Sequence, residues 1–372
     1  MRTTAVIGAN YGDEGKGLIT DYLSSLQDNT VVVRFNGSSQ AGHTVVSPDG
    51  FRHVFKHFGS GTLSGAETYL AKHFVLNPVM FYQEAAIFQK NKIGWRVATD
   101  PRCFVATPYD MIINQAVEEH RGKDRHGSVG VGFGETIERN KYPAFQLKAA
   151  DLDDMYLVEQ KLKNIRDHWL PHRFNDLGIP PLRGDVRLDN RMLRRVADAF
   201  DLFHKSTEIA GLEFVQGKNI VFEGAQGLAL DMDSADFPHV TRSNTGLTNV
   251  IPIVKALKRP LDVVYVTRSY LTRHGAGPLP GEENYGGPKH YDETNQPHDY
   301  QGALRYAPFD CNRMALRIGL DMGRAMHPTK VSLAMTWCDH HEPDVSAFTH
   351  VPLKYKAFGP ARGDVQCQLM SG

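Results

Sequence analysis

Residues 3–17 read TTAVIGANYGDEGKG, an apolar run that passes directly into a glycine-rich turn. The run Thr3–Ile7 is rich in β-branched residues and predicts a short buried strand. The turn spans Gly8–Gly17, and apolar residues then recur at helical spacing: Leu18, Ile19, Tyr22, Leu23 and Leu26. A strand, a loop and a helix in this order are typical of the opening of an α/β domain with a parallel sheet.

Similar apolar runs recur along the chain: Val31–Val33, Ile220–Phe222, Val263–Val266 and Val331–Ala334. Each is followed closely by polar, charged or glycine residues. Ligands of open parallel sheets bind at the carboxyl ends of the strands. The pattern therefore predicts an α/β fold, with a large and mostly parallel central sheet flanked by helices, and one shared site.

The remaining sequence offers no repeat and no clear linker, so we expect a single elaborated α/β domain over residues 1–372. A helical insertion is expected around residues 151–215, where Leu193, Val196, Phe200 and Phe203 follow helical spacing and serve packing. Pro180-Pro181 and the segment Gly275–Pro297 are expected to be loops.

Composition argues against several classes of protein. The 42 lysines and arginines equal the 42 aspartates and glutamates, so no net field attracts nucleic acid or a membrane surface. The four cysteines form no C-x-x-C pair, and neither a signal-peptide pattern nor a membrane-spanning apolar stretch is found. We expect a cytoplasmic protein with reduced thiols and no nucleic-acid or membrane partner.

The glycine-rich turn favours phosphate binding. Backbone amides between a strand and a helix can approach phosphate oxygens, and Lys16 can add a positive charge. The turn is not a Walker A loop, because Asn10 stands at its first glycine and Gly17 at its Ser/Thr. A tight turn with solvated charges is the alternative for this loop taken alone.

A second loop, Gln40–Thr44, follows the run Val31–Val33. A lone histidine is more often structural than catalytic. However, His43 lies beside Gly42 at the end of a strand that we expect to neighbour the first loop. An aspartate on one loop and a histidine on the next, Asp13 and His43, could serve as base and as acid or electrophile.

These two loops resemble motifs of the adenylosuccinate synthetase family, which read G-x-x-W-G-D-E-G-K-G and N-A-G-H-T. Further stretches are similar and occur in the same order along the chain: Phe222–Gly227, Phe237–Thr245, Thr272–Pro278 and Phe358–Pro360. The resemblance covers nearly the whole chain. It implies the family's α/β fold around a large sheet, and a homodimer.

The resemblance implies a ligase that phosphorylates the 6-oxygen of a purine nucleotide and replaces it with the amine of aspartate. Asp13 would take the proton from purine N1, and His43 would stabilise or protonate oxygen during phosphoryl transfer. Lys16 and Mg²⁺ would neutralise the moving charge, with the metal held by Asp13 and the Gly42 carbonyl.

The resemblance also implies binding residues. Those for the acceptor mononucleotide are Gln40, Ser128, Val129, Gln226 and Thr241, although a turn residue and a surface amide are the alternatives for Thr241 and Gln226. Arg139 is the nearest candidate for the arginine that the family lends across its dimer to the acceptor phosphate. Arg305 would clamp a carboxylate of L-aspartate. Those for the donor triphosphate are Gly12, Glu14, Gly15, Lys16, Gly17, Thr44, Asp339, Gly359 and Pro360.

The chain departs from the family at three points. Ala303 replaces an arginine that reaches the acceptor's ribose, and Trp337 replaces the lysine of T-K-x-D, which reads the guanine of GTP. Val129 replaces a threonine of the phosphate loop. The ending Phe358–Val365 is more similar to the phage branch, 2-aminoadenylosuccinate synthetase, which acts on dGMP with ATP or dATP and serves 2-aminoadenine DNA. Asp13, which some phage members replace, is retained.

Two reactions therefore stay open. We hypothesise dGMP as acceptor with an adenine nucleotide as donor, and the alternative is the ordinary reaction of IMP, aspartate and GTP. Asp13 cannot discriminate between the acceptors, because both carry an N1 proton.

Rival classes explain less of the sequence. A regulator that hydrolyses or senses a nucleoside triphosphate would leave Arg305, Gln226 and Thr241 without a role. A nucleic-acid-binding module lacks the expected basic patch. The stretch Asp339–Glu342 is expected to be a solvated strand end rather than a zinc site, and His53 and His57 are expected to be structural.

Overall fold

The computed structural model describes residues 1–180, 188–234, 236–287, 295, 301–325, 327, 329–340, 343, 345 and 351–368. Pro181, most of the predicted loop beyond residue 287, and His341 and Glu342 lie outside the described residues. The strands are β1 (Thr3–Gly8), β2 (Thr30–Arg34), β3 (His43–Val46), β4 (Arg52–Phe55), β5 (Glu67–Leu70), β6 (Val97–Thr99), β7 (Glu208–Ile209), β8 (Asn219–Gly227), β9 (Leu261–Arg268), β10 (Leu271–Arg273), β11 (Arg305–Ala307), β12 (Thr329–Thr336), β13 (Leu353–Ala357) and β14 (Val365–Cys367). The α-helices are α1 (Lys16–Ser25), α2 (Pro78–Lys90), α3 (Pro108–Arg121), α4 (Phe133–Arg139), α5 (Met155–Asn164), α6 (Leu170–Asp176), α7 (Asn190–Ser206), α8 (Ile251–Leu257) and α9 (Cys311–Ala325).

A ten-stranded sheet has the order β14-β13-β12-β9-β1-β8-β2-β5-β6-β7. Its neighbouring strands are parallel except for the pair β13 and β14. The predicted α/β class with a large, mostly parallel sheet is confirmed. The five strands predicted from apolar runs are its consecutive members β12, β9, β1, β8 and β2, so the loops after them share one edge of the sheet.

The loops that follow β1 and β2 are in contact, as expected, but the two strands are not neighbours in the sheet. β2 does not pair with β1, because β8 lies between them and is parallel to both. Glu223 of β8 is in register with Val6 on one side and with Arg34 on the other. A segment nearly 200 residues away thus inserts a carboxylate between the two loops that carry the predicted chemistry.

The central strands are buried on both faces, as in other parallel sheets. β1 and β2 are buried throughout. Leu18, Ile19 and Leu23 of α1 join a buried cluster with Val6 on one face. Leu26, predicted to lie on the same stripe, has an exposed fraction of 52%, because α1 ends at Ser25.

The segment expected to be a helical insertion contains α5, α6 and α7, with residues 181–187 outside the described part. The predicted packing residues of α7 are buried in the largest apolar cluster: Leu193, Val196, Phe200 and Phe203. Among the described residues, the longest and most apolar helices fall short of what a membrane crossing requires.

Candidate active site

A cavity of about 1280 Å³ lies at the carboxyl ends of the central strands. It exceeds the roughly 300–1,000 Å³ of a typical small-molecule pocket, so it has room for more than one ligand. Two predicted site residues, Arg139 and Arg305, are absent from its wall. The predicted residues that line it are Gly12, Asp13, Glu14, Gly15, Lys16, Gly17, Gln40, Gly42, His43, Thr44, Ser128, Val129, Gln226, Thr241, Asp339, Gly359 and Pro360.

The first loop is shaped by its own charged residues. The Glu14 carboxylate accepts hydrogen bonds from the backbone amides of Asn10 (3.0 Å) and Gly12 (2.9 Å). Its other oxygen pairs with Lys16 Nζ at 2.6 Å, and both side chains are buried. The N-cap residue of α1, Gly15, provides no side-chain cap, so the first amides of this helix stay available to an anionic ligand.

The first and second loops are in contact. A Cβ atom placed on Gly17 would lie 3.0 Å from His43 Cβ and 3.2 Å from Ser60 Oγ. A serine or threonine at this position, as in a Walker A loop, would therefore crowd His43 and Ser60. A Cβ on Gly15 would lie 2.8 Å from Thr336 Cγ2, so the end of β12 also closes on this loop.

Asp13 lies at the centre of this edge with a left-handed backbone (φ 58°). Arg268 Nε donates to its carbonyl oxygen, and its carboxylate Oδ2 lies 3.3 Å from His274 Nε2. Burial alone would raise the pKa of the Asp13 carboxyl. The hydrogen bond and charge of His274, with the charges of Arg268 and Lys16, instead hold this pKa well below its usual range. Asp13 is therefore ionised at neutral pH.

His43 is oriented by Glu223, which the sequence motif contained but to which we assigned no role. His43 Nδ1 lies 2.6 Å from Glu223 Oε1, and Glu223 Oε2 accepts from the Ser60 amide at 3.0 Å. Burial would raise the pKa of Glu223, but the charges of His43 and Arg34 lower it to about 2. Burial lowers the pKa of His43, against the opposing charge of Glu223. The Nδ1–H group therefore donates to Glu223 and leaves Nε2 for a ligand.

A signal for Glu223 was present in the sequence. It is the single carboxylate of the mostly apolar strand NIVFEGAQG, which ends at Gly227, and a buried carboxylate requires a partner. His274 and Arg268, which contact Asp13, were likewise missed. His274 follows the short strand β10, and Arg268 ends β9, so topology alone brings them to the same edge.

The predicted acceptor residues gather on the wall of the cavity. Gln226 has a left-handed backbone (φ 64°), and its Oε1 would lie 3.6 Å from a Cβ on Gly12. Gln40 Nε2 donates to Thr241 Oγ1 at 3.5 Å. Ser128 Oγ accepts from Asn114 Nδ2 at 2.8 Å, which fixes the loop that Val129 continues.

The assignment of Arg139 to the acceptor phosphate is contradicted. Its guanidinium is fully buried and donates to both carboxylate oxygens of Asp110, at 2.8 and 2.9 Å. It also donates to the carbonyl oxygens of Phe145 (2.6 Å) and Val105 (2.8 Å). Arg139 thus joins α3 to α4, and its guanidinium lies away from the cavity wall.

Arg305 is occupied within the chain. Its fork pairs with the Glu282 carboxylate, with Nε 2.9 Å from Oε1, and Nη1 donates to the carbonyls of Gly275 (3.0 Å) and Gly277 (2.8 Å). A carboxylate is therefore already bound in the geometry expected for aspartate. Gln301, four residues earlier, does line the cavity. The role of Arg305 in binding aspartate stays a prediction.

The opposite end of the cavity presents an aromatic surface. Trp337 lines it with a left-handed backbone (φ 63°), and the guanidinium of Arg268 lies 5.0 Å from its ring centroid. The His340 ring stacks on the same indole with centroids 5.2 Å apart. Asp339 lies between them in sequence and supplies an acceptor at this end.

Comparison with known proteins identifies a family and several relatives. A family model described as adenylosuccinate synthetase matches residues 5–302. The adenylosuccinate synthetases of Picrophilus torridus and Lactobacillus acidophilus are each 33% identical to the chain, over 280 and 298 residues. These matches cover 75% and 76% of the chain, and they span 65% of the length of each relative.

Two solved structures share the fold. The fully ligated adenylosuccinate synthetase of Plasmodium falciparum has a TM-score of 0.72 and 17% identity, and the match covers 99% of this chain and 100% of that one. The succinoaminodeoxyadenylate synthetase of cyanophage S-2L, solved with dGMP and dATP, has a TM-score of 0.67 and 18% identity, with 98% and 95% covered.

Proposed function

The chain belongs to the adenylosuccinate synthetase family, and we propose that it is a C–N ligase that joins L-aspartate to C6 of a purine mononucleotide through a 6-phosphoryl intermediate. The observation that carries this proposal is the single cavity lined by Asp13, His43 and the first glycine-rich loop. Such a site suits a purine edge beside acid–base groups and a triphosphate beside backbone amides.

In the proposed reaction, O6 is first converted into a good leaving group and is then displaced by the amine of aspartate. Oxide or hydroxide leaves a purine C6 poorly, so O6 must first become part of a phosphate ester. Asp13 accepts the N1 proton, O6 attacks the γ-phosphorus of the donor, and the nucleoside diphosphate leaves. The aspartate amine then adds to C6, and inorganic phosphate departs with O6.

The electrostatics of the site support these roles. Asp13 is ionised and can accept a proton, because His274 and Arg268 stabilise its carboxylate. Ionised Glu223, 2.6 Å from His43, can compensate an imidazolium whose Nε2–H donates to oxygen during the transfer. The uncapped start of α1 and Lys16 favour the phosphates of the donor.

The donors in this region fit Mg²⁺. The Asp13 carboxylate and the Gly42 carbonyl are oxygen ligands on segments that line the same cavity. A bound Mg²⁺ would neutralise charge on the phosphoryl group. We assign it to these two residues.

We propose that the donor and the acceptor bind at different ends of the cavity. We assign the donor to the first loop, Thr44, Asp339, Gly359 and Pro360. We assign the acceptor to Gln40, Ser128, Val129, Gln226 and Thr241, and the carboxylate of aspartate to Arg305 once Glu282 yields its place.

For the acceptor we propose dGMP, and for the donor ATP or dATP, giving N6-succino-2-amino-dAMP for 2-aminoadenine DNA. Support comes from Ala303, which lacks the arginine donor to a ribose hydroxyl, and from Trp337, which offers stacking instead of lysine charge to the donor base. The ending Phe358–Val365 also resembles the phage branch. The names of the relatives favour the second candidate, IMP with GTP. In either case we propose a homodimer in the cytoplasm, which would be the host's if a phage encodes the chain.

The test is aspartate-dependent phosphate release with each acceptor and donor pair in the presence of Mg²⁺. We expect turnover with dGMP and ATP or dATP that exceeds turnover with IMP and GTP. If only the pair IMP and GTP supports turnover, the acceptor is IMP rather than dGMP, and the proposed ligase reaction still holds. Absence of aspartate-dependent release with every pair would refute the ligase itself.

A further inference from the structure

The acceptor end of the cavity is built around small residues and left-handed glycines. Gly127, Gly130 and Gly132 have φ values of 81°, 78° and 79°. Their loop carries Ser128 and Val129 and faces Thr241 across the cavity. Val129 brings no hydroxyl to this loop. Residues 127–132 also include no cationic side chain, so a mononucleotide phosphate bound here would need a cation from elsewhere.

Among the described residues, the arginines that line the cavity near this loop are Arg121, Arg242 and Arg273. Arg273 is buried and donates to the carbonyl oxygens of Pro278 and His239, so it serves the scaffold. Arg121 Nη1 donates to Glu118 Oε1 at 2.9 Å, and Glu118 is buried and also accepts from the Gly127 amide at 3.0 Å. Arg121 thus neutralises a buried carboxylate that holds the start of the loop. The positive charge of Arg121 is therefore already paired within the protein.

Arg242 is placed differently. Its side chain is 49% exposed, and within the described part of the chain its one polar contact is a bond from Nη1 to Glu138 Oε2 of 3.4 Å. Glu138 is already paired with Lys141 Nζ at 2.7 Å. A guanidinium has five N–H donors, so most of this fork is left for a ligand.

The stem of Arg242 packs against the start of α4. A Cβ on Gly134 would lie 3.5 Å from Arg242 Cγ, which is van der Waals contact. Gly134 lies in the first turn of α4, which begins where the loop of Ser128 and Val129 ends, and Arg242 directly follows Thr241. The arginine therefore bridges the two segments that line this end of the cavity.

From these contacts we infer that Arg242 supplies, from within the same chain, the positive charge that binds the acceptor's 5′-phosphate. This inference rests on the proposed function for the identity of the ligand as a purine mononucleotide. A planar guanidinium donates two parallel hydrogen bonds to phosphate oxygens, which lysine cannot reproduce. Arg242 thus distinguishes a nucleotide from its nucleoside.

Calorimetric binding to two pairs of ligands tests the inference: dGMP with deoxyguanosine, and IMP with inosine. For Arg242→Gln we expect the Kd of the bound mononucleotide to rise about 10- to 100-fold, while the nucleoside binds as it does to the unmodified chain. Arg242→Lys should recover part of the loss. The matched control is Arg313→Gln. Arg313 lies on α9 away from the cavity wall, is 54% exposed and has a comparable ion pair with Asp310, the residue before the helix.

The inference is overturned if Arg242→Gln binds the mononucleotide as tightly as the unmodified chain, or if it loses nucleotide and nucleoside equally. It is also overturned if the unmodified chain binds neither mononucleotide. Thermal unfolding checks that the variant is folded. Binding does not depend on turnover, so a failed ligase assay beside a selective loss of nucleotide binding refutes the proposed function and leaves the role of Arg242 standing.

Discussion

At the scale of single residues, the site depends on keeping Asp13 charged beside cations. His274, Arg268 and Lys16 together outweigh the effect of burial on its pKa. The same cations stabilise the local backbone, since Arg268 also donates to the Asp13 carbonyl. A substitution of equal shape can therefore remove the charge of Asp13 while the side chain keeps its size.

Asp13→Asn keeps the size of the side chain and removes the base. We expect kcat to fall about 10²- to 10⁴-fold, the usual contribution of a well-placed acid or base. The chain should stay folded at 25 °C with a lowered Tm, because His274, Arg268 and Lys16 lose their counter-charge. Steady-state phosphate release and thermal unfolding measure both effects. Asp198→Asn, a change on the exposed face of α7, serves as the control. Near-normal turnover of Asp13→Asn would remove Asp13 from catalysis.

Glu223→Gln removes the charge that orients His43 and faces Arg34. We expect kcat to fall at least about tenfold, because the imidazolium of His43 loses its counter-charge. The folded pKa of Glu223, about 2, lies below its ordinary value of 4.5. Its stabilising effect is thus complete above about pH 4.5 and is lost as the pH falls towards 2.

Urea unfolding at a series of pH values tests this stability effect. The free energy of unfolding of the unmodified chain should fall between pH 4.5 and 2 more steeply than that of Glu223→Gln. Parallel slopes for the two proteins would show that Glu223 is not held ionised by its neighbours.

At the scale of elements, apolar runs predicted the strands but not their order. Thr3–Ile7 and Val31–Val33 are recognisable because a buried parallel strand is a continuous apolar segment. The pairing of strands is decided by contacts between distant segments, and nothing within Val31–Val33 shows that β8 separates β2 from β1. The role of Glu223 was missed for this reason, since it depends on that insertion.

Arg139 shows that the contacts between two helices are likewise not evident from the local sequence. Its identity as an arginine favoured an anionic ligand, whereas its partner is Asp110, 29 residues earlier on α3. Arg139→Gln should leave Asp110 buried without its counter-charge and reduce the free energy of unfolding by about 3–5 kcal/mol. The Kd of the acceptor mononucleotide for the folded fraction should stay within about twofold of the unmodified value, because the contact is remote from the cavity wall. Denaturation combined with calorimetry measures both, and a selective loss of nucleotide affinity would restore Arg139 to the site.

At the scale of the whole molecule, the cavity collects residues from position 11 to position 360. Glycine-rich loops after strands could be predicted to share one edge, since parallel strands all present their carboxyl ends there. The internal partners that the described chain gives to Lys16 and Arg305 could not be predicted. Both depend on carboxylates, Glu14 and Glu282, whose side-chain directions are set only by the folded backbone.

The most direct measurement follows the 6-oxygen of the acceptor through the reaction. With ¹⁸O placed at O6 of dGMP or IMP, together with aspartate, Mg²⁺ and the triphosphate that supports turnover, we expect one ¹⁸O atom in the inorganic phosphate for every aspartate adduct formed. Mass spectrometry of the phosphate detects it. Unlabelled phosphate released in step with adduct would contradict a 6-phosphoryl intermediate, and with it the convergence of Asp13 and His43 on the purine edge.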